Sequence, residues 1–257
     1  MQERQIRHRW LTAKAFAIDD TLAEPHIALG MVQLFHAWDW LGAQREFKRA
    51  IELNPNLGLA HWSYAWWLVF MGREDEAIGQ ARRGVELDPF SPGSCHTLPS
   101  IYYLGRQYDE ALEQIRRWVE IFPDHPHVYF WLSQILHAKG MYDQEIAAWQ
   151  KALTLNGKRD DAAALERAYK LGDITGAWRW GFEQAEKWRA DRYELAPIWL
   201  DRFYAFWGEK DTALDWLERG YEEHDDEMYY IKVDPRLDSL RSDPRFQGLL
   251  RRMNFQQ

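Results

Sequence analysis

Apolar residues return three and four positions apart from near the start of the chain, at Ile6, Trp10, Ala13 and Ala17, which is the spacing of one face of an α-helix. Further along, the helical pattern is itself periodic. The stretch WLGAQREFKRAIELNP ends at Pro55, and matching stretches end at Pro89 (VELDP), Pro123 (VEIFP) and Gly157 (after Asn156), each 34 residues beyond the last. Twelve residues before these anchors stand Ala43, Ala77, Ala111 and Glu145, and five before stand Ala50, Gly84, Trp118 and Ala152. Mostly small side chains at fixed offsets predict close helix contact. A 34-residue period of this kind predicts helical hairpins stacked into an all-α superhelix.

Six hairpins follow from the period, at 22–54, 57–87, 92–121, 125–156, 160–190 and 195–224. A half repeat at 5–20 precedes them, so the chain is expected to open in mid-repeat, either as part of a longer protein or behind an atypical cap. No linker rich in proline, glycine or serine divides the units, which predicts one domain over 1–257. Local departures are informative. The joint FHAWDWLGA of the first hairpin is one residue longer than its counterpart MGREDEA, and Trp38 and Trp40 are expected to cover it. Gly72 is placed to end a helix in the left-handed conformation, and Gly208 repeats its position relative to the following helix. Pro99 falls where the third hairpin's first helix should run, which predicts either a kink or a late helix start near Thr97. The tail repeats a small unit, DPRLDSL then DPRFQGL. Aspartate before proline suits a helix N-cap followed by the first helical residue, so two short helices are expected near 235–240 and 244–252. Leu237, Leu240, Phe246, Leu249 and Leu250 would then cap the exposed end of the superhelix, within a C-terminal cap at 234–253.

The segments GAQREFKRAIELNP, GREDEAIGQARRGVELDP and YDEALEQIRRWVEIFP resemble the tetratricopeptide repeat (TPR). The resemblance covers most of residues 5 to 224 and implies a solenoid that holds protein or peptide partners. With the closing VDPRLDSLRSDPRFQGLLRRM, the chain looks like the C-terminal TPR region of bacterial signalling proteins whose N-terminal parts are adenylate cyclases, serine/threonine kinases or winged-helix regulators. That implies the sensory or protein-interaction half of a larger regulator.

In TPR-like arrays the first helix of each hairpin lines the concave face, where residues four and then three apart share a stripe. The stripes read Trp62, Trp66 and Val69; His96, Ser100 and Tyr103; Phe130, Gln134 and His137; Glu166 and Tyr169; Ile198 and Arg202. A groove that is aromatic at one end and mixed-polar at the other favours an apolar or aromatic peptide held by ring contacts. It lacks the lysine and asparagine clamp of chaperone-binding TPR proteins, whose places hold Trp62, Trp66, His96 and Ser100. The bland alternative is that these rings pack on neighbouring hairpins and leave no open groove.

Composition narrows the field further. A net charge of −8 disfavours a nucleic-acid partner, since binding there is driven by neutralising phosphates. No apolar run is long enough for a bilayer span and no apolar block follows the N-terminus, so a cytoplasmic chain without a membrane partner is expected. A single cysteine, Cys95, excludes an internal disulfide. No cofactor and no metal site are expected: the His125–His127 pair lacks a third ligand of convincing spacing, and Asp225-Asp226-Glu227 lacks the alternation and glycine of a calcium loop. No phosphate loop or nucleophile elbow appears, and the chain is read as non-catalytic. The enzyme or lectin alternative is a tryptophan-rich helical scaffold acting on sugars, with Glu166 and Asp201 as its carboxylate pair. Self-association through the half repeat is a third option.

Overall fold

The computed structural model describes residues 20–91, 94–192 and 198–255. Residues 5–19 of the expected half repeat lie outside them, as do the side chains of Cys95, Trp188, Ile198 and Asp201. The fold is an all-α superhelix of antiparallel hairpins. Helices α1 (Ala23–Val32) and α2 (Trp40–Leu53) form the first, α3 (Gly58–Phe70) and α4 (Glu74–Leu87) the second, α5 (Ser94–Leu104) and α6 (Tyr108–Ile121) the third, and α7 (Pro126–Ala138) and α8 (Tyr142–Leu155) the fourth. Each helix packs on its hairpin partner, and the first helices α1, α3, α5 and α7 also lie against one another in sequence.

The fixed-offset small residues account for this packing. Ala43, Ala77 and Ala111 are fully buried between helices. Glu145, which breaks the series, is also buried: its carboxylate accepts from Trp178 Nε1 at 3.1 Å and pairs with His137 Nδ1 at 2.9 Å. Buried polar groups persist when hydrogen-bonded, so a carboxylate replaces a methyl here only because α9 (Arg159–Arg192) brings an indole to it. The turn glycines Gly72, Gly140 and Gly208 take φ between 68° and 79°, a region that costs a residue with a Cβ about 1–2 kcal/mol.

The irregular hairpins have local causes. The extra residue of the first joint is absorbed as a π-helical turn (Gln33–Ala37) that ends in a left-handed Trp38. Helix α5 begins at Ser94 rather than near Thr97, so Pro99 sits inside it; next to the missing proline N–H, Ser100 Oγ donates to the His96 carbonyl at 2.5 Å. The fifth unit is one long helix broken at Gly172 and Asp173, whose dihedrals are non-helical. Asp173 caps the second arm by accepting from Thr175 N at 2.8 Å. The two arms run so close that a Cβ on Gly176 would stand 2.5 Å from the Ala168 carbonyl. Helices α10 (Ile198–Phe206) and α11 (Lys210–Glu223) complete the array.

The tail reaches further than the last hairpin. Its two short helical segments form as the Asp-Pro pairs predict: a 3₁₀ turn (Pro235–Leu240) and α12 (Pro244–Arg252), with Asp234 and Asp243 accepting from Arg236 N and Arg245 N at 3.0 and 2.8 Å. Leu237, Leu240, Phe246 and Leu249 are buried and Leu250 is half-buried. The 3₁₀ turn packs on α10, and α12 packs on α11, where Arg245 pairs with Asp215 and Arg252 with Glu218. Beginning with a 3₁₀ turn (Asp226–Tyr230), the tail runs back from α11 across the face of the first helices to the first hairpin. There Trp40 Nε1 donates to the Met253 carbonyl at 2.7 Å and the Trp40 ring stacks on Phe255 at 4.5 Å.

Enlarging a side chain at a small-residue contact should force the helices apart. Ala77→Leu is expected to lower the urea midpoint by the equivalent of about 1–3 kcal/mol at an unchanged m-value. An unaltered midpoint would show that this contact is not tight.

Candidate functional site

The residues expected to line the groove form three rows, because equivalent positions recur every 34 residues: Trp62, His96 and Phe130; Trp66, Ser100 and Gln134; Val69, Tyr103 and His137. The structure treats the rows differently. In the second, Trp66 is buried against Phe70 and Tyr230, Ser100 is buried and engaged with its own helix, and Gln134 accepts from Arg236 Nη1 at 3.0 Å. In the third, Val69 and Tyr103 are buried, and His137 packs on Trp178 at 4.6 Å beside Glu145. Desolvation pushes the Tyr103 hydroxyl far above its ordinary value. These residues are therefore covered rather than displayed: the tail lies on Trp66 and Gln134, and α9 and α10 bring Trp178 and Phe206 onto His137.

The first row remains half-open. Trp62, His96 and Phe130 are each half-buried. His127, exposed on the same helix as Phe130, stacks on it at 6.0 Å and meets His96 edge-on at 4.8 Å. Desolvation where the ring packs on His96 and Phe130, aided by the neighbouring His125, lowers the His127 pKa. The result is a band of aromatic and imidazole rings along the edge of the covered face. His127 joins the band because it stands three residues before Phe130, a helical spacing that puts both rings on one face.

Of the remaining candidates, Glu166 and Tyr169 turn away from the groove. Glu166 is exposed and ion-paired with Lys170 at 2.6 Å, which lowers its pKa, and it also accepts from Gln150 on α8. Tyr169 donates to Asp143 at 2.7 Å, and that bond pushes its pKa up to about 12. Both face α8, because beyond Gly157 the chain leaves the 34-residue period. Arg202 is buried, and a surface role is replaced by an ionic one. Its Nε donates to Asp234 Oδ2 at 2.8 Å, while Arg236 Nε and Nη2 reach the same carboxylate at 2.9 and 2.8 Å.

That cluster is the main polar anchor of the tail. Burial works against the Asp234 charge, but the Arg236 and Arg202 guanidinium groups outweigh it and hold the carboxyl well below the usual range. A second contact lies at the turn between α5 and α6, where Arg106 Nε and Nη2 reach Asp238 at 3.1 and 2.5 Å. Aromatic contacts lie between them: Tyr229 on Phe35 at 4.7 Å and Tyr230 on Phe70 at 5.3 Å. At the far edge His224, which ends α11, stacks on Trp38 at 3.7 Å and its Nε2 bonds the His36 carbonyl at 2.6 Å. Among the described residues no group of three or more His, Cys, Asp or Glu side chains is set to hold a metal ion, and no helix is long and apolar enough to cross a membrane.

Comparison with known proteins agrees with this architecture. A family model described as tetratricopeptide repeat matches residues 126–159. No curated protein matches the chain. Among solved structures, yeast Tom70 is similar at 18% identity and a TM-score of 0.53, covering 90% of this chain and 50% of its own. PilF of Pseudomonas aeruginosa is similar at 18% identity and a TM-score of 0.53, covering 81% of this chain and 94% of its own. PilW, a type IV pilus biogenesis factor, shares 16% identity at a TM-score of 0.55, covering 73% of this chain and 87% of its own. The chain thus spans half the length of Tom70. Likeness at this level of identity establishes the fold, a TPR-type solenoid.

The anchor is expected to be acid-sensitive. A carboxylate whose folded pKa is depressed contributes stability that is fully present above its unfolded value, about 3.9, and lost as pH falls through the folded one. In Asp234→Asn the Arg202 guanidinium loses its charged partner, which costs about 3–5 kcal/mol where the pair stays buried. The variant should lower hydrogen-exchange protection factors of amides 228–240 at pH 7, and the gap to the unsubstituted protein should narrow as pH falls below about 4. A gap independent of pH would show that Asp234 is not held as a carboxylate.

Proposed function

We propose that the protein is a non-catalytic protein-interaction scaffold, the regulatory part of a bacterial signalling protein, in which 1–257 form one superhelix that binds a protein segment along its first-helix face. The observation that carries this reading is that the face already holds a polypeptide: a stretch of non-repeat chain lies across it through ring contacts, ion pairs and a carbonyl bond to Trp40 Nε1. Extended concave surfaces of repeat arrays are suited to such segments. The half-open row of Trp62, His96 and Phe130 is the part of this surface from which binding would begin. A cytoplasmic setting, and partners that are proteins rather than nucleic acid or membrane, go with this reading, and the charge of −8 supports the preference.

The carbohydrate-directed alternative rests on Glu166 with Asp201. Glu166 is ion-paired to Lys170 on an exposed helix surface rather than held in a cleft, which gives that reading less support. Self-association through the half repeat would show as a mass above about 31 kDa by light scattering that rises with concentration; 30.7 kDa is one chain.

Panning a random peptide library on the full chain is expected to enrich segments that Trp62→Ala and Phe130→Ala each release, with the far-UV circular dichroism unchanged. Equal enrichment on both variants would place binding away from this edge. A tryptophan-fluorescence response to a glycan panel, with no peptide enriched, would favour the sugar-binding alternative.

A further inference from the structure

In the third hairpin the position of the turn glycine holds Arg106, which keeps the left-handed backbone (φ 62°) of Gly72, Gly140 and Gly208. A residue with a Cβ is disfavoured there, and such strain persists where surrounding contacts over-determine it. Two of the three Arg106 guanidinium nitrogens reach Asp238 of the tail, 132 residues away, and the third donates to the Leu104 carbonyl. The repeat face thus offers two cations, Arg106 and Arg202, and the tail supplies a carboxylate to each, Asp238 and Asp234.

The tail also keeps a shape of its own. Arg241 bonds the carbonyls of Lys232 and Asp234 and the carboxylate of Asp238, so the segment is stapled internally as well as to the face. It joins the array at one end, just after the left-handed His224 that ends α11. A preorganised segment tethered at one end and docked through aromatic pairs and carboxylates has the properties of a bound peptide ligand.

We propose that residues 226–255 form a strap that occupies the partner groove, and that the partner is a protein segment of the same chemistry. On the reading of the preceding section, that segment carries a pair of aromatic side chains followed by carboxylates, and it binds as the strap lifts. Its rings take the places of Tyr229 and Tyr230 against Phe35, Trp66 and Phe70, and its acids take Arg202 and Arg106. The strap holds the closed state, so the affinity for any external segment is reduced by the fraction of time the groove is covered.

A fluorescein-labelled peptide of residues 226–255 is the probe, titrated into the full chain by anisotropy. The chain carrying Asp234→Asn with Asp238→Asn, whose groove residues are unchanged, is expected to bind the probe at least about tenfold more tightly than the unsubstituted chain, because its strap competes less. Asp238→Asn alone alters a side chain that is 44% exposed, and it provides a version that leaves the core intact with a smaller gain in the same direction. A probe with both Tyr229 and Tyr230 changed to Ala should lose that binding. Equal affinity of all chains for the probe, including none, would overturn the proposal. So would loss of strap amide protection only together with that of α3 and α5, since the strap would then belong to one cooperative core. If library-derived peptides bind the unsubstituted chain and the double variant alike and are released by Trp62→Ala, the scaffold reading stands and the strap proposal falls. If neither they nor the probe binds any chain, both fall.

Discussion

A row of stacked hairpins buries its helices against one another but leaves the face of its first helices without a cover, and in this protein that face is rich in apolar side chains. Trp66 and Phe70 are buried there, each with the ring of Tyr230 from the tail set edge-on to it. The tail meets this requirement by lying over the face and joining the same core as Trp40, Trp67 and Ile135. Hydrophobic burial is non-directional, so apolar contact alone would not determine where along the face each segment sits. The Asp234 cluster supplies that registration, because a buried carboxylate is tolerated only where guanidinium groups meet it.

The strap has a second consequence, because it brings the two ends of the described array together. Trp38 stacks on His224, and Trp40 on Phe255, across 186 and more residues of chain. Both Trp38 and His224 take left-handed backbone, each as the residue that ends a helical segment, so the two endings meet as flat rings in contact. The long joint of the first hairpin is the source of one of them. An insertion that in isolation only loosens a turn thereby becomes part of the closure.

Function on such a scaffold is a matter of what stays accessible. The same 34-residue repetition that aligns Trp62, His96 and Phe130 also aligns the two rows that the strap covers, so surface and core alternate along a single helix face. Ring-lined edges beside a docked segment are a common setting for peptide capture, since aromatic side chains offer large contact area at little conformational cost. Glu145 illustrates a different use of a departure from the repeat. It resembles a gain of chemistry in the sequence, but in the structure it ties α8 to α9 through Trp178 and His137.

The period, the small-residue contacts, the turn glycines and the Asp-Pro caps were all legible in the chain, because each is a local requirement of helix geometry that acts within one or two turns of the residue concerned. Trp66, Ser100 and Tyr103 stand at helical spacing on the first helices, and all three are buried. Whether that face was open could not be read, since the answer lies in contacts such as Arg106 with Asp238 and Trp40 with Met253, between residues 132 and 213 apart. One signal was present: an arginine in the place of a turn glycine. Its meaning depended on where the carboxylates of the tail would come to rest. Helical periodicity dictates which side chains share a face. Which surface then covers that face is chosen by competition for apolar area and by the pairing of buried charge, and both act only once the chain has folded back on itself.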